Sequence, residues 1–569
     1  MIIFLSLFLI FCPLATVWSE LVSQENIPAS GEKLILDMNA ARIVFLARQG
    51  EPDTALRLYQ KMYKEKRRHN YLLLQQISLA ILLEGAAQSD PEIQLLSLFG
   101  ASMALHEQAY EIIENSLKNR NPLIQLIALQ ALGRLHQERA DQALFRALGS
   151  DQLALRYEAL KLLCEKKHEQ ATSQVESLLY KLPRRYIPII PPLLAMLETP
   201  ESTRLLQRLL QDPSAEVRLS VILSIAKLHR DDFLPQIRKH SLHGHYSELE
   251  ACAYTLGILE DEYSIQLLQR LSRSQFPTVA IAASLALLKL GKSEALDLIE
   301  EMAVEGDLFA IASLADFENS TWTLVPLMNH KDKLVRLNAI LALFAQKNPI
   351  SYPYLTDILI RDERDLAYIP SQSPGKTMTA VNTISGAAFL FRDDPDACKD
   401  DLELRESILE DLRSQSDTQF LRVANEIFKK QQNDLVPRLT ELLEEMGTPA
   451  AIQCLKQHQE KLGAPLVRHY CALALYHMDE RSCAVDMLMK WVNNQSQTEL
   501  IRFTPLSSEI GSNLYELTPE ESSQLLIKVL EAFAIKQDEK GIALLVEAMV
   551  SGHQKNKYAL AGLLLRATQ

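Results

Sequence analysis

At 569 residues the chain is too long for one ordinary globular core, and its formal net charge of −13 disfavours nucleic acid or an anionic membrane surface as partner. Only 18 glycines occur, well under the usual share of about 7%. Leu, Ala, Glu, Gln and Lys recur throughout, a composition that favours helices over sheets and over phosphate-cradling loops.

Residues 1–19, Met1 to Ser19, carry no charge and end in a Val17-x-Ser19 step before Glu20. This pattern predicts a secretory signal cleaved after Ser19, and with it an exported protein, whether periplasmic, held in the cell envelope or secreted. No Lys or Arg precedes the apolar run, which leaves an uncleaved membrane anchor as the alternative and the only predicted membrane contact. Six cysteines remain after cleavage, none in C-x-x-C spacing. Cys164, Cys252, Cys454 and Cys471 fall inside apolar helical runs and are expected to be buried free thiols. Export would also permit a bridge between Cys471 and Cys483.

A polar linker, residues 20–31, leads into a helical segment over 32–87. Within it Gln49-Gly-Glu-Pro-Asp-Thr-Ala-Leu-Arg-Leu-Tyr59 is similar to the second helix of a tetratricopeptide repeat, with Ala55 in the small slot and Tyr59 in the aromatic one. The segment is expected to cap an array with a polar outer face. The basic cluster Lys61, Lys64, Lys66, Arg67, Arg68 and His69 reads as the solvated end of a helix.

From 88 to 362 one pattern recurs. Its clearest copy is Asp212-Pro-Ser-Ala-Glu-Val-Arg-Leu-Ser-Val-Ile-Leu-Ser-Ile-Ala-Lys-Leu228, and related copies begin near Ser89, Asn119, Ser150, His243, Ser274 and His330, several of them 31 residues apart. Repetition at that period predicts an all-α solenoid of stacked antiparallel helix pairs. Asp90-Pro91, Asn121-Pro122 and Asp212-Pro213 each place a capping side chain before a first-turn proline. The pattern frays at Pro183 to Pro192, where prolines must kink or cap a repeat, and near Leu308, where a unit is shortened.

These residues resemble the HEAT family, in particular its bacterial short-repeat branch, the PBS-lyase-like one. The family pattern is an Asp or Asn turn, a Val-Arg pair, a small residue four positions on and an Ala-Leu pair near the helix end. Val217-Arg218 with Leu228, and Val335-Arg336 with Ala339 and Ala342-Leu343, follow it. The resemblance implies a concave inner face lined by the Val-Arg helices. It also implies a structural ladder in which Arg156, Arg218 and Arg336 take part, with Arg218 bonded to the turn residue Asp212. Ser224 and Asn338 are expected near the exposed side of their helices, as inner-face candidates for holding a partner.

The helical period dissolves over 363–402 and resumes over 403–569, where Val467-Arg468 with Cys471, Ala472, Ala474 and Leu475 repeats the inner-helix pattern. A two-armed solenoid is therefore expected.

Reactive constellations are scarce. Gly375-Lys376-Thr377 lacks the earlier glycine of a phosphate loop, since Pro370 stands there. His106-Glu107 and His168-Glu169 lack the second histidine of a helical zinc site. His240, His243 and His245, with Glu248 and Cys252, lie at a predicted inter-repeat turn, where polar residues are expected. Residues 393–401 are acidic without the glycine of a calcium loop, and no G-x-S-x-G elbow exists. No catalytic, cofactor or metal residue is nominated. The chain reads as an exported scaffold or adaptor that binds protein or peptide partners on its concave surface. The alternatives are an enzyme or enzyme subunit resembling the HEAT-like bilin lyases, and a structural part of a cell-envelope assembly.

Overall fold

The computed structural model describes residues 38–360, 402–497 and 517–569, leaving out 105, 136–137, 169, 461–463, 481–483 and 518 within them. The predicted signal, Cys483 and most of the predicted interruption therefore lie outside the described residues. What is described is all-helical: thirty α-helices and no strand. None of these helices is long and apolar enough to cross a membrane.

The first four helices are α1 (Met38–Arg48), α2 (Pro52–Lys66), α3 (Tyr71–Ala87) and α4 (Pro91–Ala104). Helix pairs then follow in a row: α5 (Tyr110–Ser116) with α6 (Pro122–Gly133), α7 (Glu138–Ala147) with α8 (Leu153–Glu165), α9 (Ala171–Lys181) with α10 (Ile190–Leu197), and α11 (Pro200–Leu209) with α12 (Ala215–Lys227). The row continues through α13 (Leu234–His240), α14 (Tyr246–Ile258), α15 (Ile265–Leu271), α16 (Pro277–Lys289), α17 (Leu296–Val304), α18 (Leu308–Ser313), α19 (Thr321–Leu327), α20 (Lys333–Ala345) and α21 (Tyr352–Leu359). The carboxy-terminal arm comprises α22 (Leu402–Gln415), α23 (Asp417–Lys429), α24 (Val436–Met446), α25 (Pro449–Gln459), α26 (Pro465–His477), α27 (Ala484–Gln495), α28 (Pro519–Ile535), α29 (Glu539–Ser551) and α30 (Asn556–Arg566).

The period is stricter than the sequence pattern suggests. Alternate helices begin at 91, 122, 153, 215, 246, 277 and 308, and a 3-10 turn over Arg184–Ile189 begins at the remaining 31-residue step. Pro188, Pro191 and Pro192 turn that unit into a 3-10 entry followed by the short α10, without moving it out of register. Only α20, at 333, breaks the step, after the shortened α18. The helix exits keep the same beat: Lys167, Glu198, His229, Glu260 and Gly291 all adopt left-handed backbone. At four of these exits the next N–H bonds a carbonyl five residues back, as in Arg230 to Ile225 at 3.0 Å and Asp261 to Leu256 at 3.0 Å.

Even-numbered helices α6 to α20 form one layer and the odd-numbered helices between them another. The even layer packs closely: Gly133 seats on the Leu162 side chain, and Gly257 on Ala286, where a Cβ would stand 2.7 Å from the Ala286 backbone. The odd layer meets its neighbours more sparsely. Closer approach on one side bends the row towards that side, so the even helices line the inner face. Cys164, Cys252, Cys454 and Cys471 are buried free thiols, while the expected bridge from Cys471 to Cys483 lies outside the described residues. Burial pushes the Cys164 and Cys252 thiols up to about 12.

The two arms meet directly. Gln415 Nε2 donates to the Phe344 carbonyl at 3.2 Å, and the fully buried Arg405 bonds the Leu359 carbonyl at 3.4 Å while pairing with Asp434. The two ends of the chain meet as well. Helix α30, buried on nearly every side, lies across α3 and α4. Its Tyr558 ring covers Gly85, and a Cβ on Gly562 would stand 2.7 Å from Gly100 Cα. The expected amino-terminal cap with a polar outer face is thus corrected: the last helix covers that face. The basic cluster is corrected at one member, since His69 is only 6% exposed and bonds the Glu539 carbonyl at 3.0 Å.

Candidate binding groove on the inner layer

The turn before α12 is held by Arg218. Its Nη1 donates to the Asp212 and Pro213 carbonyls at 2.6 and 3.0 Å, and its Nε and Nη2 take the two oxygens of Glu248 at 3.2 and 2.6 Å. Asp212 is therefore bonded through its backbone, because its carboxylate accepts the Ser214 N–H at 2.8 Å and caps the turn. Arg336 repeats half of this arrangement, donating to the His330 and Lys331 carbonyls at 2.6 and 3.0 Å. Both arginines act as staples of the inter-repeat turn. Arg156 is part-buried in α8, with its Nε unpartnered.

Glu248 also receives His240 Nε2, which gathers part of the histidine cluster at one buried carboxylate. Burial alone would raise the Glu248 pKa, but the Arg218 and His240 bonds outweigh it and hold the group below its ordinary range. With both oxygens taken, and Cys252 turned into the core, the cluster presents no open ligand set.

The expected exposure of Ser224 and Asn338 is corrected. Ser224 is 5% exposed and its hydroxyl donates to the Ser220 carbonyl at 2.6 Å; Asn338 is 1% exposed and its amide donates to Leu334 at 2.9 Å. Both satisfy a donor by bonding four residues back along their own helix, which lets a small polar side chain enter a packed slot. Ser224 stands nine residues after its helix start, the register shared by Leu162, Thr255 and Ala286. In the even layer that register receives the previous repeat: Leu162 meets Gly133, and Ala286 meets Gly257. Both side chains are buried and not on the exposed side of their helices.

An open groove does exist on the inner layer, at the junction of the two arms. Helices α14, α16, α18 and α20 supply its floor, with Gly257, Ala282, Ala286 and Ala312 keeping it low, and α22 supplies one wall through Leu404 and Ile408. The cavity measures about 410 Å³. Its rim is polar: Lys289 Nζ stands 6.0 Å from the Tyr254 ring centre, and Asp316, Ser407 and Asp411 line the groove near them. Burial raises the Tyr254 phenol, and the Asp316 charge adds to it. Asp411 is raised by desolvation and then by Glu410, against the opposing charge of Lys347. A cleft of about 560 Å³ lies between the α10 and α12 exits and along α11, but its cation Arg230 is already bonded to Asp232, Thr203 and the Ala195 carbonyl.

Apolar floor, acidic and basic rim and an open mouth suit an extended segment carrying apolar side chains. The small residues of the floor are visible in the sequence as packing slots. The wall from α22 is not, because nothing in a periodic pattern tells which distant helix will close a groove.

No protein-family model matches the chain, and no curated protein matches it. Among solved structures it is similar to a homology model of the full-length AP-3 complex in an intermediate open conformation, at 13% identity over 90% of this chain and 98% of that one, with a TM-score of 0.26. It is similar to importin beta crystallised in a polyethylene glycol condition, at 12% identity over 92% and 78%, with a TM-score of 0.29. A third likeness is to a structure titled for a conserved phosphorylation switch that controls the interaction between cadherin and beta-catenin, at 12% identity over 86% and 100%, with a TM-score of 0.22.

Proposed function

We propose that this protein is a scaffold or adaptor whose inner layer holds a segment of a protein partner, and that the groove between α14 to α20 and α22 is where the segment lies. The groove itself carries this reading: a low apolar floor gives contact area, and Lys289, Asp316 and Asp411 among its lining give polar anchoring for a peptide backbone or side chains. The net charge of −13 favours a protein partner over nucleic acid. We propose further that the protein works after export, as the uncharged apolar start and the Val17-x-Ser19 step suggest. An intact mass of the natural product beginning at Glu20 would support export, and retention of Met1 to Ser19 would remove the cleaved signal.

A photo-crosslinking amino acid placed at Ser407 or Ala345, both lining the groove, tests the site in the native cell. Discrete protein adducts at these positions, with none at Tyr263 or Trp322 on the other layer, are the expected outcome. Adducts only at Tyr263 or Trp322 would move the site to the odd-numbered helices and overturn the reading.

A further inference from the structure

The even-layer register gives a direct reading of what α30 does. In α8 and α16 the residue nine positions after the helix start receives the preceding repeat. In α4 that residue is Gly100, and a Cβ there would stand 3.0 Å from the Tyr558 carbonyl carbon of α30. The last helix of the chain thus occupies the side on which a preceding repeat would sit. Around this crossing the rim is stitched by Lys555 to Glu92 at 2.8 Å, Lys557 to Asp53 at 3.5 Å, His69 to the Glu539 carbonyl at 3.0 Å, and Gln569 to the Ala104 carbonyl at 2.9 Å.

Composition supports a built joint over an accidental meeting of ends. A terminal helix of a solenoid ordinarily keeps a polar outer face. Tyr558-Ala-Leu-Ala-Gly-Leu-Leu-Leu565 is apolar on every side, which suits only a helix covered on every side. The two faces that cover it belong to its own arm, α28 and α29, and to the first repeat, α3 and α4.

We propose that the joint between α30 and α3–α4 is an intramolecular clasp that closes the helical array into a ring, and that the ring opens there. Around the circuit, neighbouring repeats are successive along the chain; this joint brings together residues more than four hundred positions apart. Its opening stretches no connection and uncovers the apolar side of α30 that faces α3 and α4, while α28 and α29 still cover the other. Access to the inner layer is what such opening would govern, and in that respect the clasp rests on the reading that a partner is held there.

The test uses the full purified chain with no partner. A zero-length carbodiimide should join Lys555 to Glu92, or Lys557 to Asp53, within single molecules, and Gly562→Leu should abolish the product. Products found only between two copies would overturn the ring. Opening is read in a Ser97→Cys variant, where the introduced thiol replaces a buried hydroxyl beneath α30 and thiol labelling is scored by peptide mass. The introduced thiol should label at least roughly tenfold faster than the native Cys164 of α8, and the carbodiimide bridge should suppress the difference. Equal rates at the introduced thiol and at Cys164, or a rate at the introduced thiol unaffected by the bridge, would overturn the clasp. Should Ser97→Cys fail to fold, amide exchange of α30 against α8, with and without the bridge, gives the same comparison. These measurements use the chain without a partner, so their failure is read separately from a failure to find groove adducts at Ser407.

Discussion

Gly100 and Gly562 lie backbone against backbone, with a Cβ on Gly562 standing 2.7 Å from Gly100 Cα. Gly562 sits in the interior of α30, where helix preference alone would make Gly562→Ala stabilising by about 0.5–1 kcal/mol. The crossing reverses that sign, because the opposing atoms are main chain and cannot turn aside. Overpacking of this kind costs about 1–3 kcal/mol. The urea midpoint of Gly562→Ala should therefore fall, and a rise would count against the crossing.

Arg218 and Arg336 occupy equivalent turns but differ in what they leave behind. Arg218→Ala strands Glu248, whose side chain is 1% exposed and which keeps only His240. Breaking such a pair costs about 3–5 kcal/mol. Arg336→Ala frees two turn carbonyls and costs about 1–3 kcal/mol. Thermal denaturation of the two variants should rank them in that order. A double variant, Arg218→Leu with Glu248→Leu, should recover much of the first loss, since no charge is then left buried.

The repeat is legible because its physics is local. A capping Asp or Asn, a first-turn proline and a small residue at a fixed distance all act within one helix, and the structure keeps their 31-residue beat even at Pro183 to Pro192. Polarity at Ser224 and Asn338 points to the surface, whereas each satisfies itself four residues back and enters a slot. Ring closure depends on contacts between distant residues, such as Lys555 with Glu92, which periodicity does not encode. One signal is present nonetheless: a last helix without a polar side demands a cover. The groove follows the same division, its alanine floor visible in the sequence and its α22 wall invisible.

His69 makes the amino-terminal end of the joint sensitive to acid. The Asn70 N–H donates to the Tyr59 oxygen at 3.0 Å, so the Tyr59 hydroxyl donates to Nδ1 at 3.0 Å and Nε2–H donates to the Glu539 carbonyl at 3.0 Å. The neutral ring fits this chain of donors. Facing it are the rings of Tyr63 and Tyr71 and the Glu539 carboxylate at 3.7 Å, with Arg67 and Asp538 on the same segments. Burial lowers the imidazole from its ordinary 6.5, and Glu539 opposes this without reversing it. A lowered folded value means that the unfolded or released chain binds the proton first. The stability His69 contributes is therefore intact above pH 6.5 and is lost as pH falls below that value through the folded one. His69→Gln, which cannot titrate, should flatten the loss of thermal midpoint over this window. Equal slopes for the two proteins would exclude His69 as the sensitive group.

The helix exits offer the last prediction, and it runs in both directions. Glu260 is exposed and holds φ at 50°, in the left-handed region, while Gly291 fills the equivalent exit of the next repeat at 76° with nothing within 4 Å of where a Cβ would stand. Left-handed backbone costs a side chain about 1–2 kcal/mol, and the extra freedom of glycine in the unfolded chain returns about 0.5–1 kcal/mol of that. Glu260→Gly should thus stabilise its exit by about 0.5–1 kcal/mol. Gly291→Ala should destabilise its own by a similar amount for conformational reasons alone, because space is not limiting. A change confined to one exit is small against the whole array and is best read locally: by exchange of the Asp261 amide, bonded to the Leu256 carbonyl at 3.0 Å, and of the Lys292 amide, bonded to Leu287 at 2.9 Å. Slower exchange at Asp261 in the first variant and faster exchange at Lys292 in the second are expected. Shifts of the same sign at both exits would show that left-handed strain does not decide which residue each one prefers.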